Sequence, residues 1–158
     1  LLEIGIAMVV EPHLTGTHLD GAAIWHPDGF PVIALTIRHD RLDNFWFTLF
    51  HELGHVKKHL NPKDGECFID TDIDARSEKA IEREADQFAL NTFISEKQWD
   101  RLGSLEYADE IKAAAIQLAI DPAIIAGRLR REANDYRKHR TLIGQGKLSE
   151  IFQISKSI

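Results

Sequence analysis

Cysteine and methionine are nearly missing from this sequence. Cys67 stands alone, which excludes an intramolecular disulfide and suits a reducing compartment, so the cytoplasm is the expected location. Long apolar runs are missing too. None approaches the roughly 20 residues that a membrane-spanning helix requires, and no membrane partner is expected. The apolar opening LLEIGIAMVV is interrupted by Glu3, with no basic region ahead of it and no small-residue cleavage site after it, so it reads as a buried strand rather than a signal peptide. Positive charge is in deficit. A net charge of −6 argues against a surface built for nucleic acid, since phosphate binding rests on clustered Lys and Arg. The basic run at 128–140 (RLRREANDYRKHR) and the acidic run at 64–74 (DGECFIDTDID) read as a solvated helix face and a solvated loop.

What is present suffices for one compact domain: 158 residues with 44% hydrophobic content. The runs 22–26 (AAIWH) and 31–37 (PVIALTI) are β-prone and separated by Pro27-Asp28-Gly29-Phe30, whose composition suits a tight reversal, so they form a hairpin; 4–10 adds a strand. Leu42-Asp43-Asn44 offers N-cap chemistry before the apolar-periodic run FWFTLFHELGHVKKHL, and Asn61-Pro62 stops it, giving a helix over 44–60. Residues 61–77 read as a connecting loop, with a short extended piece at CFID. A second helix spans 77–93, capped by Ser77, with Ile81, Ala85, Phe88, Ala89 and Thr92 on its buried face. Two further helices are expected at 106–119 and 122–138, the latter opened by Asp121-Pro122. Strands first and helices after point to an α+β fold, with an N-terminal β-hairpin or sheet packed on the first helix and a mostly helical C-terminal half.

The first helix carries His51-Glu52-Leu53-Gly54-His55. Residues i and i+4 share a helix face, so the two imidazoles project to one side about one turn apart, as two corners of a tetrahedral zinc site do. Glu52 lies between them, too far around the helix to join the ligand pair but close enough to reach a water on the metal as general base. Gly54 removes a side chain where a strand or second helix can come close. His59 continues the histidine row, but three in-line histidines cannot all converge on one tetrahedral ion. A metzincin pattern fails, because Lys58 and Asn61 stand where Gly and a third His are needed and Met8, the lone methionine, precedes the motif.

A catalytic zinc needs a third protein ligand and an open position. The candidates lie in IEREADQFA on the second helix. Glu84 sits on the flank of the buried stripe and can point inward. Glu82 and Asp86 form an i, i+4 acidic pair, either of which could be the ligand or could hold a histidine's second ring nitrogen.

The stretches FTLFHELGHVKKHL, EREADQFALNTFIS and IDPAIIAGRLRRE together, across about 45–135, resemble the ImmA/IrrE metallo-endopeptidases, especially the version found downstream of a helix-turn-helix module in HigA-like, Xre-family antitoxin regulators. Ser95 departs from that pattern, standing where the family usually has proline. The resemblance implies a small zincin-like domain, zinc (Zn2+) on His51, His55 and Glu84, and Glu52 as catalytic acid/base. It also implies a peptide or protein substrate of the repressor or antitoxin kind. The expected function is a zinc-dependent metallo-endopeptidase, and the alternative is a non-catalytic zinc-containing sensor domain of a toxin-antitoxin-type regulator. A DNA-binding module is expected as an attached or separate partner, in which case this chain is the C-terminal part of a longer regulator. Direct DNA binding by AIQLAIDPAIIAGRLRRE, which imitates a helix-turn-helix, is not expected, because Ile124, Ile125 and Leu129 fill its second helix with core-type residues.

Overall fold

A computed structural model of the chain describes residues 1–13, 16–60 and 75–153, and within the last stretch the side chains from Glu78 onward. The acidic run, Cys67, the extended piece expected at CFID and the Asn61-Pro62 helix stop lie outside the described residues. The chain divides into two compact units, one made of Leu1–Arg38 with Thr48–Ala89, the other of His39–Phe47 with Leu90–Ile158.

Among the described residues, the first unit opens with a 3-10 turn at Leu2–Ile4 and then holds three strands, β1 (Ala7–Glu11), β2 (Gly21–His26) and β3 (Phe30–Thr36). The expected hairpin is there. β2 and β3 pair antiparallel with His26 opposite Phe30, and the turn closes through the Gly29 N–H donating to the His26 carbonyl at 2.9 Å. Gly29 takes a φ of 92° there, a left-handed conformation that costs glycine little. β1 pairs parallel to β3 on the other side, so the order is β1-β3-β2 with β3 in the centre. Ile33 and Leu35 on β3 are fully buried while their neighbours are partly exposed, the two-residue alternation of a sheet with one packed face.

Helix α1 spans Leu42–Lys58 and helix α2 Ala75–Phe93. Both start ahead of the sequence expectation. Asp43 lies in the first turn of α1 rather than at its cap, because its carboxylate is taken by two guanidinium groups described below. Ser77 lies inside α2 rather than at its start. Where α1 and α2 meet in the first unit, a β-carbon built on Gly54 would come within 3.1 Å of the Ala85 Cα. Ala85 is completely buried. The glycine between the two histidines is therefore what lets α2 approach, and α2 is the element that carries the acidic residues.

Among the described residues, the second unit holds the start of α1, the end of α2, and four more helices: α3 (Glu96–Leu102), α4 (Ala108–Leu118), α5 (Pro122–Glu132) and α6 (Lys147–Ile151). The architecture is α+β with a mostly helical C-terminal half, as the order of elements in the sequence requires. Helix α3 was not anticipated. It begins at Ser95, whose backbone N–H donates to the Gln98 side chain at 3.0 Å in a capping box, so the residue that departs from the family's proline serves as a helix start. Helix α5 opens as expected, with the Asp121 carboxylate accepting from the Ala123 N–H at 2.8 Å and Pro122 in the first turn. It ends at Glu132 instead of 138, because Asn134 takes a left-handed φ of 47°, a conformation asparagine tolerates better than most residues. Ile94, Trp99, Ile111, Ile125 and Leu129 belong to the main apolar cluster of this unit.

The basic run of α5 is largely turned inward. Arg128 donates to the carbonyls of Leu90 and Ile94, each at 3.0 Å, and to Glu132. Arg130 donates to Asp43 at 3.4 Å, and Asp43 also accepts from the Arg41 Nε at 2.9 Å. Asp43 and Arg130 are 7% and 3% exposed. Removing one member of a buried ion pair leaves an uncompensated charge, so Asp43→Ala is expected to lower stability by about 3–5 kcal/mol, read as a lower midpoint in urea unfolding. A midpoint within experimental error of the parent would refute the reading. No helix among the described residues is long and apolar enough to cross a membrane.

Candidate metal centre

Helix α1 presents His51 and His55 at i, i+4, His59 continues their row in the turn that follows the helix, with its N–H donating to the His55 carbonyl at 2.8 Å, and the sequence of α2 presents Glu82 and Asp86 at i, i+4. Each set shares one helix face. The two faces meet across the Gly54–Ala85 contact in the first unit. The Nε2 atoms of His51 and His55 lie 3.0 Å apart. Glu82 brings one carboxylate oxygen to 3.2 Å from the His51 Nε2 and the other to 3.4 Å from the His55 Nε2. Among the described residues, these three side chains form a group whose ligand atoms lie within 4.8 Å of one another.

The other acids have different places. The Asp86 carboxylate lies 2.9 Å from the His51 Nδ1, which puts the ring proton on Nδ1 and leaves the Nε2 lone pair facing Glu82. The Glu84 carboxylate lies 3.4 Å from the His59 Nε2 and 3.6 Å from the Lys58 Nζ. The carboxylate gathered with the two histidines is thus Glu82, whereas the resemblance implies Glu84. The reason is helical phase: two residues amount to about 200° of rotation at 100° each, so Glu82 and Glu84 cannot serve the same spot on α1, while Glu82 and Asp86 can.

Glu52 is 7% exposed, and its carboxyl is pushed up to about 7, first by burial, with the charge of Glu82 adding to it and that of His51 opposing it. His55 is pulled down to about 4 by burial and by the neighbouring His51 and His59. His51 goes the other way. Burial pulls it down most, but the Asp86 hydrogen bond and the charges of Glu52, Glu82 and Asp86 together carry it above its ordinary value. Two imidazole nitrogens facing each other beside a carboxylate are a donor set that suits zinc, which takes nitrogen and carboxylate oxygen ligands in fours and leaves one position open when three come from the protein. The residues present fit a metal ion.

Strand β2 comes against Glu52 at its first residue, Gly21. A β-carbon built on Gly21 would lie 2.6 Å from the Thr48 Cγ2 and 2.8 Å from the Glu52 Oε1, so this position admits no side chain while Glu52 stays where it is. The strand expected at 22–26 leaves Gly21 out. A glycine opening a strand is a recognised sign of close backbone approach, which was the signal available.

A family model described as the IrrE N-terminal-like domain, peptidase M78, matches residues 4–102. The chain belongs to the IrrE N-terminal-like family. The match takes in the three strands, α1, α2 and α3, and therefore every residue of the site just described, while α4, α5 and α6 lie beyond it. An IrrE-like chain is a metallopeptidase-type domain that acts on protein, and the His51–His55–Glu82 cluster could hold the metal ion that such peptidases require. The search of curated proteins returns no match.

Proposed function

We propose that this IrrE-like chain is a zinc-dependent endopeptidase that cuts a regulatory protein of the repressor or antitoxin kind, with the metal on His51, His55 and Glu82 and with Glu52 as general base. The observation that carries the reading is the convergence of two imidazole nitrogens and a carboxylate beside a second, buried carboxylate. Zinc in a three-ligand set lowers the pKa of water toward about 7 and polarises a carbonyl.

The chain's own residues supply the rest. Glu52 accepts the proton of the attacking water and hands it to the departing amine as the C–N bond breaks. A carboxyl whose affinity for protons burial has raised toward neutrality suits both halves of that transfer. Asp86 orients His51. Strand β2 has β3 as its one neighbour among the described residues, so its outer edge can pair with an extended peptide through backbone N–H and C=O groups. Gly21 sets the start of that edge against Glu52. An extended peptide on β2 would therefore pass the general base. The cytoplasm, and a DNA-binding module attached or separate, belong to the same proposal; the lone cysteine and the resemblance to antitoxin-type regulators support them.

Reconstitution tests it. The metal-stripped chain is expected to take up one zinc and to cleave a peptide or candidate repressor only when loaded, with a chelator abolishing the activity and zinc restoring it. One zinc per chain with no cleavage, in the cell as well as in the test tube, would replace the endopeptidase by the non-catalytic sensor. Gly21 offers a second check. Gly21→Ala forces Glu52 or Thr48 to move, and a misplacement near 1 Å costs on the order of 10²-fold in rate. Turnover of the zinc-loaded variant is expected to fall by about that factor with zinc content unchanged, and undiminished turnover would separate Gly21 from the general base.

A further inference from the structure

The ring of His55 has a second nitrogen that the site above leaves unused, and it points along α1. The His55 Nδ1 lies 3.1 Å from the Nδ1 of His59. The other nitrogen of His59, Nε2, lies 3.4 Å from the Glu84 Oε2. The His59 side chain is 9% exposed, whereas Glu84 is 59% exposed. Three side chains from two helices thus form a row that ends in solvent at a carboxylate.

The row admits one arrangement of protons when His55 offers its Nε2 lone pair to the site. The His55 proton must then sit on Nδ1 and be donated to the His59 Nδ1, which must be unprotonated to accept it. His59 in turn carries its proton on Nε2 and donates it to Glu84, an acceptor-only group when ionised. The Nδ1 of His55 and both nitrogens of His59 then have partners of the right kind. The opposite assignment lets the His55 Nε2–H donate to the His51 Nε2, 3.0 Å away, but it removes the His55 lone pair from the site and turns an unprotonated His59 Nε2 onto the Glu84 carboxylate, acceptor against acceptor.

We infer that His59 and Glu84 are positioning residues for the metal site: they hold the His55 ring in the Nδ1–H tautomer with Nε2 facing inward, as Asp86 does for His51. The inference rests on the proposed metal set of His51, His55 and Glu82. It explains why a helix that supplies two histidines to a metal is followed by a third in the same row, and it gives Glu84 a function away from the ion. Outer-shell partners of ligating histidines are worth about 10–100-fold in metal affinity. The His51 arm ends directly on a carboxylate, while the His55 arm reaches one through a second imidazole.

Zinc affinity of the full chain, measured by competition with a chromophoric chelator, tests the inference together with the ring tautomers of the metal-free protein, read from long-range proton–nitrogen NMR correlations. His59→Phe keeps a ring of similar size without the nitrogens and is expected to weaken zinc by about 10–100-fold. His59→Asn places an amide oxygen near the position of Nδ1 and is expected to recover most of that loss. Glu84→Gln is expected to give a smaller loss, and wild-type His55 to be the Nδ1–H tautomer. Zinc affinity within twofold of wild type in a folded His59→Phe, no recovery in His59→Asn, or an Nε2–H tautomer of His55 would each overturn the inference. If wild type binds no zinc, the metal reading falls and the tautomer arm still decides the role of His59.

Discussion

Glu52→Gln is expected to keep one zinc per chain and to lower peptidase kcat/KM by about 10²–10⁴-fold, the range typical of losing general acid–base catalysis. The substitution preserves the size of the side chain and its place beside Gly21, and it leaves the three donor groups untouched. What it removes is the capacity to take a proton from water. Burial is the leading reason the Glu52 carboxyl stands near 7, and the amide replacing it has no comparable affinity for protons. The measurement has two arms, metal content and turnover, and a cellular readout of repressor or antitoxin level accompanies the test-tube cleavage, because an absent activator would silence the purified enzyme. Retained zinc with unchanged turnover and output would defeat the catalytic assignment and favour the sensor. Loss of zinc would instead place Glu52 among the groups that hold the metal.

Glu82→Gln and Glu84→Gln should separate sharply. Glu82 faces the Nε2 atoms of both His51 and His55, so its loss is expected to weaken zinc by more than the ~10–100-fold that follows loss of an outer-shell partner. Glu84 faces His59 and Lys58, and its loss is expected to stay within or below that range. Zinc-edge absorption on the loaded variants reports the ligand set directly. A Glu84→Gln variant that loses its metal while Glu82→Gln keeps it would restore the ligand implied by the resemblance. In either case the site would still contain both histidines of α1.

Much of this molecule was legible before its coordinates. The hairpin followed from two β-prone runs around Pro27-Asp28-Gly29, and α1 from the apolar period of FWFTLFHELGHVKKHL, which a single internal glycine does not break. The pairing of His51 with His55 needs only the pitch of a helix. The less legible parts have specific causes. The stop at Asn134 depends on one backbone torsion, and asparagine permits that torsion without requiring it. The start of α1 shifted because Asp43 found Arg41 and Arg130, and Arg130 is far along the chain.

The sequence by itself determined the things that repeat within one element: strands before helices, the histidine row on α1, the acidic pair Glu82 and Asp86 on α2, and a glycine where a helix could be approached. Local geometry dictates each of these, since the spacing of residues along a helix or strand sets which of them share a face. Only the tertiary structure decided which carboxylate meets the histidines. That choice depends on the rotation of α2 about its own axis as it settles on Gly54, and one residue of phase turns a helix by about 100°. The spacing of charges in EREAD is compatible with more than one such rotation. Burial of Ala85 against Gly54 selects the one that brings Glu82 to His51 and His55, Asp86 to the back of His51, and Glu84 to His59.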